Sequence, residues 1–155
     1  MASSGIVSLL LDGGRTAHSC FKIPIPIFND FNCNISQDSL LSKVLQQTGI
    51  IIWDEVPMQH KFAVEALDNT LKDILENDKL FRGITVLFGG DFCQTLPIVP
   101  RAKHQVLKAS LRNSILWRHV KDVFSQEEHA IGCHSRELVV CQVPFGCWGW
   151  KKLQP

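Results

Sequence analysis

The pattern of apolar and polar positions predicts two short strands separated by a long amphipathic helix. Ile50, Ile51 and Ile52 form a continuous apolar run, which is typical of a strand covered on both faces of a parallel sheet. A second strand of the same character is predicted over residues 84–88. Between them, residues 58–78 predict a helix whose apolar face repeats at about 3.6 residues and carries Met58, Phe62, Ala66, Leu67, Leu71, Ile74 and Leu75. The order strand, helix, strand predicts a βαβ unit.

Weaker patterns flank this unit. Residues 1–11 predict a short apolar helix with a serine cap, which ends at the glycines that follow Asp12. Further short helices are predicted over 39–47, 104–109 and 110–117, the first of them with Ser39 as its cap. A third strand is predicted over 120–124, and neither the helical nor the strand period organises the residues after it. Asp68 and Lys72 are expected to form an ion pair on the polar side of the long helix.

Polar residues follow both strong strands, at the edge where open α/β sheets bind ligands. Asp54 and Glu55 come directly after the first strand. A strand that ends in adjacent acids has the form of a Walker B element, in which one acid holds Mg²⁺ with a nucleotide and the other orients the attacking water. The alternative is a strand that leaves the core and meets solvent. The second strand is followed by Gly89, Gly90 and Asp91, and the glycines permit close approach of the backbone to a ligand.

Composition places the chain among globular proteins. Its 155 residues are 45% hydrophobic and 20% charged. That length suits one domain, with a core that buries roughly 70% of the unfolded surface. The formal net charge of +1 gives no global electrostatic reason to bind nucleic acid, so any binding groove has to be local.

The cysteines and the lengths of the apolar runs indicate in which cellular compartment the protein is expected. Six cysteines occur without a CxxC pair, and the first residues have no basic segment typical of a signal peptide. No apolar run approaches the roughly 20 residues that a membrane span requires. We expect a reduced, intracellular protein with no membrane partner. A metal site formed by Cys133, His134, Cys141 and Cys147 is the less favoured alternative to free thiols, because their spacing fits no standard zinc module.

The polar segment 15–22 carries hydroxyls, a histidine, an aromatic ring and two cations. Loops that contact the backbone and bases of single-stranded nucleic acid have this composition. Many ordinary loops have it as well, so composition alone leaves both interpretations open.

Taken in order, these motifs make the chain resemble the PIF-type ATP-dependent DNA helicases of superfamily one, including the helicase part of Helitron transposons. Residues 5–11 and the adjoining loop resemble the family's motif Ia and its single-strand-binding loop, residues 51–55 its Walker B motif, and residues 89–94 its motif III. Leu116-Trp117-Arg118 resembles the following family segment. The resemblance implies that residues 1–124 are part of the first RecA-like domain, whereas residues 125–155 form a divergent tail without it.

The resemblance implies an α/β fold, an incomplete RecA-like P-loop NTPase domain with a parallel sheet flanked by helices. It also implies the nucleotide site. Asp54 would be the Mg²⁺ ligand and Glu55 the base or water-orienting residue. Gln94 would sense the γ-phosphate of ATP, with Asp91, Gly89 and Gly90 forming its nucleotide-binding turn.

A DNA site is implied in the same way. Thr16, His18 and Ser19 would contact single-stranded DNA, with Phe21 nearby as a stacking group. The whole protein would then unwind DNA with ATP, in the nucleus, in repair and recombination.

Three departures from the family pattern qualify these expectations. No GxxxxGKS or GxxxxGKT segment precedes motif Ia, the second RecA-like half is absent, and Cys93 stands where the family usually has a basic residue. The sheet is therefore expected to lack the central strand that carries the P-loop. The alternative function is a catalytically inactive remnant that at most binds DNA or a protein partner.

Overall fold

The computed structural model describes residues 1–10, 12–76, 78–91, 97, 106–124 and 137–141. The strands in this part of the chain are β1 (Ile50–Trp53), β2 (Thr85–Gly90), β3 (Val120–Phe124) and β4 (Glu137–Cys141). The α-helices are α1 (Gly5–Leu9), α2 (Ala17–Phe21), α3 (Leu40–Gln47), α4 (Lys61–Leu75) and α5 (Val106–Ala109). Short 3₁₀ turns are formed by Val56–Met58, Leu80–Gly83, Leu111–Asn113 and Ile115–His119.

The strands form a single sheet in the order β1-β2-β4-β3. β1 and β2 pair in parallel, with Ile51 opposite Val86 and Trp53 opposite Phe88. β4 runs antiparallel to both of its neighbours, so β1, β2 and β3 all point the same way. The three expected strands and the parallel βαβ unit are confirmed. The strand at 137–141, which separates β2 from β3, was not predicted.

Only one face of β1 is closed. Ile51 and Trp53 are buried, whereas Ile50 and Ile52 are 55% and 53% exposed. The expectation that this strand is covered on both faces is therefore wrong. Side chains alternate along a strand, and the buried pair joins a core that includes Val64 and Leu67 of α4.

Helix α4 covers that closed face. The imidazole of His60 caps its first turn, because Nδ1 accepts a hydrogen bond from the backbone N–H of Phe62 at 3.2 Å. Glu76, in the left-handed conformation, ends the helix. The helix is shorter than the predicted span of 58–78, because Pro57 sits in a separate 3₁₀ turn before it.

Asp68 and Lys72 do form the expected ion pair, with 2.7 Å between Lys72 Nζ and Asp68 Oδ2. The expected place on the polar surface is wrong, however, because Asp68 is only 2% exposed. Its other carboxylate oxygen accepts a hydrogen bond of 2.6 Å from the backbone N–H of Phe81. Asp68 therefore ties α4 to the turn that leads into β2.

The helices near the start of the chain are set by side-chain caps. Ser4 caps α1 and Ser39 caps α3, as the sequence predicted. Residues 17–21 were expected to be loop, but they form α2. The hydroxyl of Thr16 accepts a hydrogen bond from the backbone N–H of Ser19 at 3.3 Å and so stabilises this short helix. In the stretches that the structure describes, no helix is both long and apolar enough to cross a bilayer.

Candidate functional site

The two acids lie in a tight turn at the carboxyl end of β1, which we call the acid turn (residues 54–58). Asp54 Oδ1 accepts a hydrogen bond of 2.9 Å from the backbone N–H of Glu55. Glu55 adopts a left-handed backbone with φ 54° and ψ 35°. This conformation is uncommon for a residue with a side chain; it occurs at helix ends, as at Glu76, and also clusters at functional sites. The hydrogen bond to Asp54 and the 3₁₀ turn that follows hold the half-buried Glu55 in it.

The end of β2 runs directly against the acid turn. A Cβ atom added to Gly89 would lie 3.0 Å from Oδ1 of Asp54. Gly90 has φ 138°, and a Cβ there would lie 2.6 Å from Cδ of Pro57. The backbone at these glycines therefore lies close to the acid turn, whereas the predicted approach to a ligand stays a prediction.

Asp91 follows Gly90 directly and is 7% exposed. The structure therefore brings Asp54, Glu55 and the two glycines together and places Asp91 next in the chain. Gln94, the predicted γ-phosphate sensor, lies outside the described residues, as do Phe92 and Cys93.

The carboxylates of the acid turn suit a cation that is also bound by the phosphate oxygens of a nucleotide. In the part of the chain that is described, no group of three or more histidines, cysteines or acids is close enough to hold a metal ion by itself. Mg²⁺ at phosphate sites keeps several waters and takes one or two protein carboxylates together with substrate oxygens. Asp54 uses only Oδ1 in the bond to Glu55, so its carboxylate fits that role. The zinc alternative is not tested, since Cys133, His134 and Cys147 lie outside the described residues.

The predicted DNA-contacting residues lie on and around α2. Ser19 is exposed, while Thr16 and His18 are half-buried. Burial lowers the pKa of His18 below its ordinary value of 6.5, so its imidazole is neutral at neutral pH. It can therefore donate or accept hydrogen bonds, but it does not offer a positive charge to phosphate.

Phe21 does not lie on the surface. It is 2% exposed, and its ring centroid is 6.0 Å from that of Trp53. The prediction of a stacking ring for DNA at this position is wrong. The physical reason is that α2 turns this side chain inward, where it packs against the residue that precedes the acid turn.

Sequence reasoning missed a connection between the acid turn and the segment predicted to contact DNA. Ala2 is fully buried and forms parallel β-bridges with both Thr16 and Asp54. Its role depends on backbone hydrogen bonds, which leave no trace in residue type. The neighbouring Ser3 carries a hydroxyl, but a single serine gives no sequence signal.

Comparisons with known proteins agree on one family. A family model described as PIF1-like helicase matches residues 1–135. The chain is similar to the ATP-dependent DNA helicase Pif1 of Psychrobacter sp. (strain PRwf-1), with 35% identity over 104 residues, covering 66% of this chain and 16% of that protein. It is also similar to the ATP-dependent DNA helicase RRM3 of Saccharomyces cerevisiae, with 26% identity over 145 residues, covering 84% of this chain and 19% of that protein.

Solved structures show the same likeness. Bacteroides Pif1 bound to ssDNA superposes with a TM-score of 0.66 at 24% identity, over 79% of this chain and 30% of that one. Bacteroides Pif1 in complex with ADP-AlF3 and ssDNA superposes with a TM-score of 0.64 at 25% identity, over 75% and 28%. The chain thus spans less than a fifth of the curated relatives and less than a third of these structures.

Proposed function

This chain belongs to the PIF1-like helicase family, and we propose that it is the part of an ATP-dependent DNA helicase that carries the Walker B turn and a single-strand contact segment. The observation that carries the proposal is the acid turn. Two adjacent carboxylates stand at the carboxyl end of a parallel strand, one of them on a left-handed backbone, with a glycine pair packed against them.

The proposed chemistry is hydrolysis of ATP. Phosphoryl transfer needs charge neutralisation and a placed nucleophile more than covalent catalysis. Asp54 would hold Mg²⁺, which when bound neutralises phosphate charge. Glu55 would orient the attacking water and accept its proton. Asp91, with Gln94, Gly89 and Gly90, would complete the nucleotide-binding turn.

The proposed DNA contact is local. Thr16, His18 and Ser19 would bind single-stranded DNA through hydroxyl and imidazole hydrogen bonds. The net charge of +1 provides no general attraction to phosphate, so local contacts of this kind are needed. Both relatives are DNA helicases, which supports DNA as the class of partner. A nuclear location and roles in repair and recombination belong to the same proposal.

The proposal is tested by ATP hydrolysis with and without single-stranded DNA. We expect DNA-stimulated turnover that Glu55→Gln abolishes, because an amide cannot accept the proton of the attacking water. Glu76→Gln is the matched control, since Glu76 is exposed at the far end of α4. Equal turnover in wild type and Glu55→Gln would contradict the role of Glu55.

A second candidate is a remnant that binds single-stranded DNA without turnover. The 155 residues contain no GxxxxGKS or GxxxxGKT segment, so binding of nucleotide by this stretch is the property that separates the two candidates. The measurement is equilibrium binding of a nucleotide analogue and of a dye-labelled thymidine oligonucleotide. Binding of the oligonucleotide without binding of the nucleotide would support this candidate over the first.

A further inference from the structure

Residues 1–3, which we call the linking segment, lie between the acid turn and the segment proposed to contact DNA. On one side the segment bonds to the start of α2. The backbone N–H of Ala2 donates to the carbonyl of Arg15 at 3.2 Å, and the N–H of Ala17 donates to the carbonyl of Ala2 at 2.9 Å. The first turn of α2 is therefore fixed to Ala2 by its own backbone.

On its other side the linking segment bonds to Asp54. The backbone N–H of Asp54 donates to the carbonyl of Met1 at 2.9 Å, and the N–H of Ser3 donates to the carbonyl of Asp54 at 3.0 Å. Both backbone polar groups of Asp54 are therefore engaged by this segment. Met1 and Ser3, the two neighbours of Ala2, hold the backbone of Asp54 from both sides of its peptide unit.

The side chain of Ser3 adds a specific contact. Its hydroxyl accepts a hydrogen bond from the indole Nε1–H of Trp53 at 3.0 Å and donates one to the carbonyl of Asp54 at 3.3 Å. The amide Nε2 of the buried Gln59 donates to the carbonyl of Ser3 at 3.3 Å. Ser3 is thus bonded to Trp53, just before the acid turn, and to Gln59, just after it.

Packing provides a parallel route. The ring of Phe21, at the end of α2, contacts that of Trp53, and Trp53 contacts that of Phe88 in β2, at centroid distances of 6.0 and 6.5 Å. All three rings are buried. A movement of α2 therefore reaches Trp53 through its ring and through the hydroxyl of Ser3.

We propose that the linking segment couples the single-strand contact segment to the acid turn, with Ser3 as the positioning residue. This rests on the proposed role of Thr16, His18 and Ser19 in binding DNA. Hydrogen-bond networks and packed side chains can carry coupling between sites, and here the connection consists of backbone hydrogen bonds, the half-buried hydroxyl of Ser3 and the buried rings. Because coupling is reciprocal, a change at the acid turn alters α2 as well.

Trp53 is a built-in probe of this connection. A variant with Trp117→Phe, Trp148→Phe and Trp150→Phe keeps Trp53 as its single tryptophan. A thymidine oligonucleotide is titrated into the full-length variant, and its binding is followed by the anisotropy of a dye on the oligonucleotide. We expect the emission of Trp53 to shift along the same binding curve, although the ring itself is fully buried.

Ser3→Ala in this background removes both hydrogen bonds of the hydroxyl. We expect loss of the Trp53 emission shift while the dissociation constant of the oligonucleotide is unchanged, a separation that a general loss of structure would not produce. Ser3→Thr keeps a hydroxyl and is expected to restore the shift. Ser4→Ala is the matched control, because Ser4 only caps α1. If Ser3→Ala does not fold, Ser3→Cys serves instead, since a thiol is a much weaker donor and acceptor.

The outcomes separate the two proposals. Oligonucleotide binding with no change in Trp53 emission would overturn the coupling and leave the DNA contact in place. An emission shift that persists in Ser3→Ala would overturn the role of Ser3. Lack of oligonucleotide binding in every variant would overturn the proposed DNA contact, and the coupling with it.

Discussion

The two faces of the β1–β2 pair differ sharply in burial although both carry branched apolar residues. The closed face, which carries Ile51, Trp53, Val86 and Phe88, is buried. On the open face, Ile50 and Ile52 are more than half exposed. Isoleucine therefore contributes to the core at position 51 and only adds apolar surface at positions 50 and 52. An apolar run in the sequence therefore predicts a strand, but which of its residues belong to the core depends on the helix that covers one face.

The largest expected difference between the two faces comes from removing one large side chain on each. Trp53→Ala should lower the free energy of unfolding by about 3–5 kcal/mol, because it empties a fully packed site. Ile52→Ala should lower it by less than about 1 kcal/mol, because its side chain is already largely in water. Urea unfolding followed by circular dichroism measures both. Similar losses would show that the open face is covered in solution.

A smaller loss of stability is expected when the ion pair of α4, the helix that covers the closed face, is removed. Asp68→Ala leaves the buried N–H of Phe81 without its acceptor, at a cost of about 1–3 kcal/mol. Lys72→Ala removes the other member of the ion pair, but its side chain is 31% exposed, so we expect a loss of only about 0–1 kcal/mol. The same unfolding measurement compares the two. An equal effect would mean that the ion pair, and not the bond to Phe81, is what Asp68 contributes.

The smallest effect depends on pH and concerns the start of α4. Burial lowers the pKa of His60 below its ordinary value of 6.5, with the positive charge of Lys61 acting in the same direction and Glu65 opposing it. The unfolded chain then binds a proton more readily than the folded one, so stability is fully present above pH 6.5 and is lost as the pH falls through the lowered pKa. Protonation also removes the acceptor for the N–H of Phe62.

His60→Asn provides the check, because asparagine caps a helix without titrating. We expect its melting temperature to fall less between neutral and mildly acidic pH than that of the wild type. The pKa of His18 is lowered by burial as well, so part of the pH dependence of the melting temperature remains in both proteins. If the melting temperature of His60→Asn depends on pH as steeply as that of the wild type, His60 does not contribute to the pH dependence.

Much of the fold followed from local pattern. The period of residues 58–78 gave α4, the cap at Ser39 gave α3, and the apolar runs gave β1 and β2 with acids at the end of the first. These features depend on neighbours along the chain, which a sequence displays directly. The parallel pairing followed from the helix between the strands.

The rest depends on contacts between distant residues. The strand at 137–141 is defined by its partners β2 and β3, and its five residues have no periodic pattern of their own. The burial of Phe21 could not be predicted from residue type, because an aromatic ring suits a core and a base equally well. The role of Ala2 arises from its backbone bonds to Arg15 and Ala17, and from the bonds of its neighbours Met1 and Ser3 to Asp54, for which any small residue would give the same sequence signal.

The position of β4 also sets an order of assembly. In this sheet β3 pairs with β4, and β4 in turn with β2. During synthesis residues 120–124 leave the ribosome before residues 137–141, so β3 has no partner of its own when it first appears. It joins the sheet only once the later strand has been made, either as a β3–β4 pair that docks on β2 or after β4 has docked first. The βαβ unit of residues 50–90, by contrast, has all its parts once residue 90 has left the ribosome and can form from then on.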